Sequence, residues 1–179
     1  MTDGIQASLH TLAVHQPVAA SLARFCASLL LFVLLGLLAV AAWLMRRQLT
    51  WKYAARVVVS LTVATVLTLL TNHLVLDPRP FVVEHYSPLA HASADNGFPS
   101  DHTLVAALFV GWAGWLNRRW SLAFALGLAA IILGRLAIGA HHSLDVLGSL
   151  VFAALGIFTA SKWPFPPSWQ HRPLLPFLT

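Results

Sequence analysis

Charge is scarce in this sequence. Lys, Arg, Asp and Glu make up 9% of its 179 residues, and only six of them are acidic. Soluble domains carry about 25% charge, so an ordinary soluble enzyme is excluded. Hydrophobic residues reach 58%, which excludes a disordered chain as well. Cysteine occurs once, as Cys26, so there is no internal disulfide and no cysteine metal cage. The thiol is read as a small packed group inside a span. A basic stripe with interleaved aromatics is also missing. The net charge of +5 comes in short scattered runs, so nucleic acid is not expected as a partner. No internal repeat and no low-complexity tract is present.

Long apolar runs are what the chain has in their place. A bilayer core takes about 20 apolar residues per helical span, and lipid leaves helices as the only way to satisfy the backbone of such runs. Five runs stand out: about Leu22 to Met45, Val57 to Leu76, Thr103 to Leu116, Trp120 to Ile138 and Leu144 to Ala160. The third is short. It is expected to start near Ser100, capped by Ser100 or Asp101. The first run is too long for a signal-peptide core and reads as a retained anchor. The fold class is therefore all-α, a polytopic transmembrane bundle of five to six spans forming one membrane-embedded domain, 1–179. Residues 1–21 read as an N-terminal interfacial segment. Residues 163–179, with five prolines, read as a cytoplasmic tail that cannot form a long helix.

Charge sets the expected orientation. Arg46, Arg47, Lys52 and Arg56 lie between runs one and two, Arg118 and Arg119 between three and four, and Lys162 and Arg172 after five. All six acids, Asp3, Asp77, Glu84, Asp95, Asp101 and Asp145, fall on the other side. That side is read as the exterior, with the N-terminus outside and the C-terminus in the cytoplasm. Tryptophans at predicted span ends, Trp112 among them, read as interfacial anchors.

Three segments carry chemistry, and all three fall on the acidic side. Asp77-Pro78-Arg79-Pro80-Phe81 holds an arginine between two prolines that limit its backbone. Phe98-Pro99-Ser100-Asp101-His102-Thr103 enters a helix, whose first-turn amides favour an anion. Arg135 to Asp145 places His141 four residues before Asp145, a spacing that puts both on one helical face. A carboxylate there fixes the imidazole tautomer and makes the other nitrogen a base or nucleophile. His142 competes for that role, but consecutive helical side chains diverge by about 100°, so only one can face the site. Arg135 at a span boundary is costly and points to a site, and its planar fork suits phosphate oxygens. Two arginines, a hydroxyl, helix-end amides and two histidines together suit attack on a tetrahedral dianion, and no metal is required.

These segments resemble the signature of the membrane-bound type 2 phosphatidic acid phosphatase superfamily: Lys, six residues, Arg-Pro; Pro-Ser-Gly-His; and Ser-Arg, five residues, His, three residues, Asp. Arg79-Pro80, Pro99-Ser100-Asp101-His102 and Arg135, His141 and Asp145 stand at the matching spacing. Within the superfamily, Arg79-Pro80-Phe81-Val82, His91-Ala92 ahead of Ala94-Asp95, Phe98 to Thr103 and Leu144-Asp145-Val146-Leu147-Gly148 are most similar to the bacitracin-resistance type of undecaprenyl-pyrophosphate phosphatase. The departures are Asn72 for the lysine, Asp101 for the glycine and Gly134 for the serine. The motif spacing selects His141 over His142.

The resemblance implies a catalytic set of His141 as nucleophile, Asp145 as its orienting carboxylate and His102 as proton donor. It implies Arg79, Ser100 and Arg135 as phosphate ligands, with Asp101 and Asn72 as lesser candidates. No cofactor and no metal is implied. The substrate would be a polyprenyl diphosphate reached from the membrane lipids at the outer boundary of the inner membrane, and its hydrolysis would recycle the cell-wall lipid carrier and raise bacitracin tolerance. Other lipid phosphates (phosphatidylglycerophosphate, phosphatidic acid or lipid A phosphate) keep the chemistry and change the substrate. A histidine-rich haem or metal carrier is the non-enzyme alternative, disfavoured because the histidines cluster at one boundary without zinc spacing. Oligomeric state is not readable.

Overall fold

The computed structural model describes residues 3–174. These residues form helices joined by loops, all short but the one at 84–100. The only β-type pairings among them are two isolated bridges, Thr50 with Pro173 and Pro78 with Asn96. Helix α1 (Gly4–His15) is capped by Asp3, whose carboxylate accepts from the amides of Ile5 and Gln6. Pro17 then opens α2 (Pro17–Arg24), its missing N–H costing nothing at a helix start. α2 passes through a π-turn, Phe25–Leu29, into α3 (Leu30–Leu44), so that Pro17–Leu44 is one apolar rod. α4 (Trp51–Asn72) starts on Thr50, whose hydroxyl accepts from the Tyr53 amide at 3.3 Å. A single turn, α5 (Pro80–Val83), precedes a long loop to α6 (Asp101–Leu116). α7 (Arg118–Ala137) and α8 (Ser143–Lys162) complete the bundle.

Four of the expected spans are helices long and apolar enough to cross a membrane: Pro17–Leu44, Trp51–Asn72, Arg118–Ala137 and Ser143–Lys162. Their bounds differ from the hydropathy limits. The first begins at Pro17 rather than Leu22. The second begins six residues before Val57 and ends at Asn72, leaving the apolar Leu74, Val75 and Leu76 in irregular chain that turns toward Pro78. The fifth expected span, α6, has 16 residues and a length of roughly 24 Å, short of a bilayer core of about 30 Å. It is the central helix, packed on α3, α4, α7 and α8, and a helix surrounded by helices does not need to match the lipid.

Packing follows from that centre. Leu34, Leu38, Phe109, Phe124 and Ile131 join α3, α6 and α7, and Ala64, Phe98, Leu108 and Phe152 join α4, α6 and α8. Large apolar side chains elsewhere face outward, as Leu126 (76% exposed) and Phe32 (67%) do, which suits a lipid-facing surface. Small residues let helices close up. A Cβ on Gly134 would stand 2.8 Å from the Ala27 amide, and one on Gly127 2.7 Å from Leu34. Trp112 departs from its expected interfacial role. It turns inward on Phe109 and donates its indole N–H to Ser60 Oγ at 2.9 Å, because α4 offers a hydroxyl there.

The two ends of the bundle differ. One carries Arg46, Arg47, Arg118, Arg119 and Lys162, with the tail pinned to it through Trp51 N–H to the Arg172 carbonyl (3.1 Å) and Leu174 N–H to the Leu49 carbonyl (2.8 Å). Among the described residues the tail forms a short 3-10 turn, Pro167–Gln170, as its prolines dictate; its last five residues, 175–179, lie outside them. The other end gathers the end of α4, the starts of α6 and α8 and the end of α7.

Candidate active site

The end of α7 supplies the first wall. Gly139 has φ +78, the left-handed conformation that closes a helix C-terminus. It sends the chain back so that the Ala140 amide bonds to the Arg135 carbonyl (3.2 Å) and His141 swings beneath Arg135. Asp145 sits at the third position of α8, where its Oδ2 accepts from the His142 amide at 2.9 Å. α6 begins against the same turn: the Ser100 amide donates to the Asp145 carbonyl (3.3 Å), and the buried Ser149 hydroxyl bridges the carbonyls of Ser100 (2.9 Å) and Asp145 (2.8 Å). Those bonds join the second and third sequence segments.

His141 is 2% exposed and Asp145 fully buried. His141 Nδ1 lies 3.0 Å from the Gly97 carbonyl and 3.2 Å from Asp145 Oδ2. Both are acceptors, so Nδ1 carries the hydrogen and Nε2 carries the lone pair. Nε2 faces two guanidinium groups, Arg79 Nη1 at 3.2 Å and Arg135 Nη2 at 3.0 Å. Burial, then the charges of Arg135 and Arg79, hold the His141 pKa well below the ordinary 6.5. His141 is therefore a neutral imidazole with an oriented, basic nitrogen.

Each arginine is tethered. Arg79 donates from Nε (3.0 Å) and Nη2 (2.8 Å) to Asp95 Oδ1, and from Nη1 to the Ala140 carbonyl (3.1 Å). Arg135 Nη1 donates to the Ala27 carbonyl, inside the π-turn, at 3.4 Å. Such a turn interrupts regular helical bonding and is frequent at functional sites.

Of the sequence-derived candidates, Arg79, Arg135, His141 and Asp145 meet directly. His102 lies in the same field: burial, then the charges of Arg135 and Arg79, disfavour its protonated form. Asp101 stands by Arg79, Asp95 and Arg135. Ser100 is at the N-cap position of α6 but makes no side-chain cap; its buried hydroxyl accepts from Thr103 Oγ1 at 3.2 Å. Asn72 is drawn elsewhere: its Oδ1 accepts from Asn96 Nδ2 at 2.9 Å. His142 points away from the arginine pair, its Nδ1 standing 3.2 Å from Asp77 Oδ1.

Sequence reasoning missed several supports. Asn96 accepts from the Asp77 amide (2.9 Å) and ties the loop before α6 to the end of α4. α1 is not a bystander: Gln6 donates to Tyr86 Oη (3.1 Å), His10 stacks on Tyr86 and bonds the Ala137 carbonyl (2.9 Å), and Asp3 accepts from the Ser143 amide. Tyr86 in turn packs on Gly139. The one legible signal was Asp3, an N-cap residue ahead of a weakly amphipathic stretch.

Two cavities adjoin the site. One, about 260 Å³, is an apolar groove between α1, α2 and α7, with Cys26, Ala130, Leu133 and Gly134 on its walls. The other, about 690 Å³, opens by Asp77, His142, Ser143 and Val75.

Comparison with known proteins gives a consistent set. The PAP2 superfamily matches residues 53–169. "Putative undecaprenyl-diphosphatase YbjG" of Escherichia coli (strain K12) is 35% identical over 170 residues, covering 89% of this chain and 83% of the relative. Undecaprenyl-diphosphatase BcrC of Bacillus subtilis (strain 168) is 31% identical, covering 83% and 76%. Bacitracin transport permease protein BcrC of Bacillus licheniformis is 34% identical, covering 83% and 73%. No solved structure matches.

Proposed function

Because the chain belongs to the PAP2 superfamily, and is thus a multi-pass membrane lipid phosphatase, we propose that it hydrolyses undecaprenyl diphosphate to the monophosphate and inorganic phosphate through a phosphohistidine. The observation that carries this reading is the His141 imidazole, with Nδ1 held by Asp145 and Gly97 and Nε2 aimed between two guanidiniums. That geometry has one use for a tetrahedral dianion. Its oxygens take the guanidinium N–H groups away from Nε2, and phosphorus arrives opposite the freed lone pair.

Nε2 then attacks the terminal phosphorus. Burial and the charges of Arg135 and Arg79 hold the free His102 neutral, its pKa down to about 4. The bound dianion offsets those charges and lets His102 take up a proton on binding. As the bond from phosphorus to the bridging oxygen breaks, the lipid monophosphate leaves with that proton. The imidazole, phosphorylated on Nε2 and still carrying its Nδ1 hydrogen, is cationic, and Asp145 offsets that charge. His102, now neutral, takes a proton from water. The hydroxide attacks phosphorus, inorganic phosphate departs and Nε2 regains its lone pair. Arg79 and Arg135 spread the transition-state charge, and the Ser100 hydroxyl donates from the start of α6. Asp101 and Asn72 shape the mouth rather than the bond-breaking centre.

The apolar groove beside Cys26 and Gly134 supports a lipid tail, since Gly134 adjoins Arg135 and the groove runs from there along α2 and α7. It takes the units nearest the headgroup; the rest of a long tail stays in the bilayer. The charge pattern supports an exterior site in the inner membrane, with the C-terminus in the cytoplasm, where recycling of the carrier raises bacitracin tolerance.

The test is phosphate release by detergent-solubilised protein from undecaprenyl diphosphate beside a panel of monophosphate lipids. His141→Ala is expected to abolish release, and His102→Ala to lower kcat by about 10²–10⁴-fold. Wild-type turnover by His141→Ala would remove the assigned nucleophile. A more than ten-fold preference for a monophosphate lipid would remove the substrate.

A further inference from the structure

The third segment contains a histidine that the phosphoryl chemistry leaves unused. His142 turns its ring away from the arginine pair and toward Asp77. Asp77, His142 and Asp145 each offer one ligand atom, and these atoms all lie within 4.8 Å of one another. Two observations distinguish this cluster from a chance meeting of acids. Asp145 is fully buried and uses Oδ2 on His141 and the His142 amide, while its Oδ1 is buried with no hydrogen-bond partner. His142 Nδ1 is buried beside it and stands 3.2 Å from Asp77 Oδ1. Buried polar atoms are rarely left unsatisfied, and two carboxylates beside an imidazole have the donor set of a cation site.

We propose that Asp77, His142 and Asp145 bind a divalent transition-metal ion of the zinc type, and that binding it restrains the enzyme. One imidazole and two carboxylates suit zinc; magnesium and calcium prefer oxygen alone. The roughly 690 Å³ cavity opens onto Asp77 and His142, so ions can enter from solvent and water can complete the coordination. Zinc–ligand bonds are about 2.0–2.2 Å, so the three side chains close inward modestly on the ion. Asp3 lines the same cavity but is not a ligand: its carboxylate is occupied by the amides of Ile5, Gln6 and Ser143. The restraint follows from Asp145, which belongs to both sites. A cation on its carboxylate competes for the charge that steadies His141 as it becomes phosphorylated. That part rests on the proposed role of Asp145; the binding itself does not.

The experiment uses full-length protein purified without a histidine tag. Zinc retained after equilibrium dialysis is counted by elemental analysis, and phosphate release is measured in chelator and across a zinc titration. One zinc per chain is expected for the wild type, and His142→Asn and Asp77→Asn are expected to lose it. In chelator, His142→Asn is expected to match wild-type activity, while its half-inhibitory zinc concentration rises at least ten-fold. No retained zinc, or equal retention by both variants, overturns the site whatever the substrate proves to be. Retained zinc with unchanged phosphate release overturns the coupling through Asp145. Inhibition of equal potency in His142→Asn assigns the effect to zinc on the lipid phosphate and also overturns it.

Discussion

His141 and Asp145 show what residue spacing can and cannot say. Four residues of separation predicts that they meet, and they do, but not on a helical face. His141 precedes the helix, and Asp145 reaches it from the first turn of α8 while binding the His142 amide. The contact is legible from spacing; the capping geometry behind it is not. Asp95 was legible as a residue of the resemblance and of the loop at the site's entrance, but only the fold reveals that it grips Arg79 from 16 positions away. The state of His141 gives a direct check. Burial and the two arginines disfavour the imidazolium, so the pKa falls and the ring stays neutral as the pH drops through the ordinary histidine value of about 6.5. Histidine-selective ¹⁵N NMR with His141→Gln for assignment should show a His141 signal that does not titrate there. A midpoint near 6.5 would contradict the site as described.

Helices were largely readable at the scale of the element from the apolar runs, while their starts at Pro17, Trp51 and Arg118 are set by a proline and by the caps Thr50 and Asn117, which hydropathy does not register. The limits moved where hydropathy and hydrogen bonding disagree: Leu74 to Leu76 is apolar enough to prolong α4, yet the chain leaves the helix to reach Pro78 and Arg79. α1 falls in the stretch read as an interfacial segment, 1–21, on weak amphipathicity. Its attachment is polar and specific, through Asp3, Gln6 and His10, and such contacts leave no periodic trace. Asp3 caps its own helix and holds the first turn of α8 as well. Asp3→Ala should therefore cost about 1–3 kcal/mol, on the scale of a lost cap or two, seen as a lower thermal midpoint in detergent. Asp3→Asn keeps one acceptor oxygen for the Ile5 and Gln6 amides but sets an NH2 donor against the Ser143 amide, so it should recover only the share that belongs to the α1 cap. A midpoint unchanged in Asp3→Ala would deny α1 its part in holding the site.

For the whole molecule, the separation of charge is the plainest sequence signal, and it coincides with the two ends of the bundle. In a Cys26→Ala background, an impermeant maleimide added to intact cells should label His91→Cys and spare Arg118→Cys until the membrane is opened; both positions are exposed. The reverse pattern would invert the topology. One further consequence follows from how the site is assembled. Arg135 leans on a carbonyl 108 residues away, Arg79 meets a ring 62 residues away, and Ser143 is held from 140 residues away. No helix pair owns the chemistry, so a slackened bundle loses its turnover while each helix is still wound. Enzymatic output is thus a finer gauge of native assembly than circular dichroism, and a detergent chosen by helicity alone can deliver an intact-looking but silent protein.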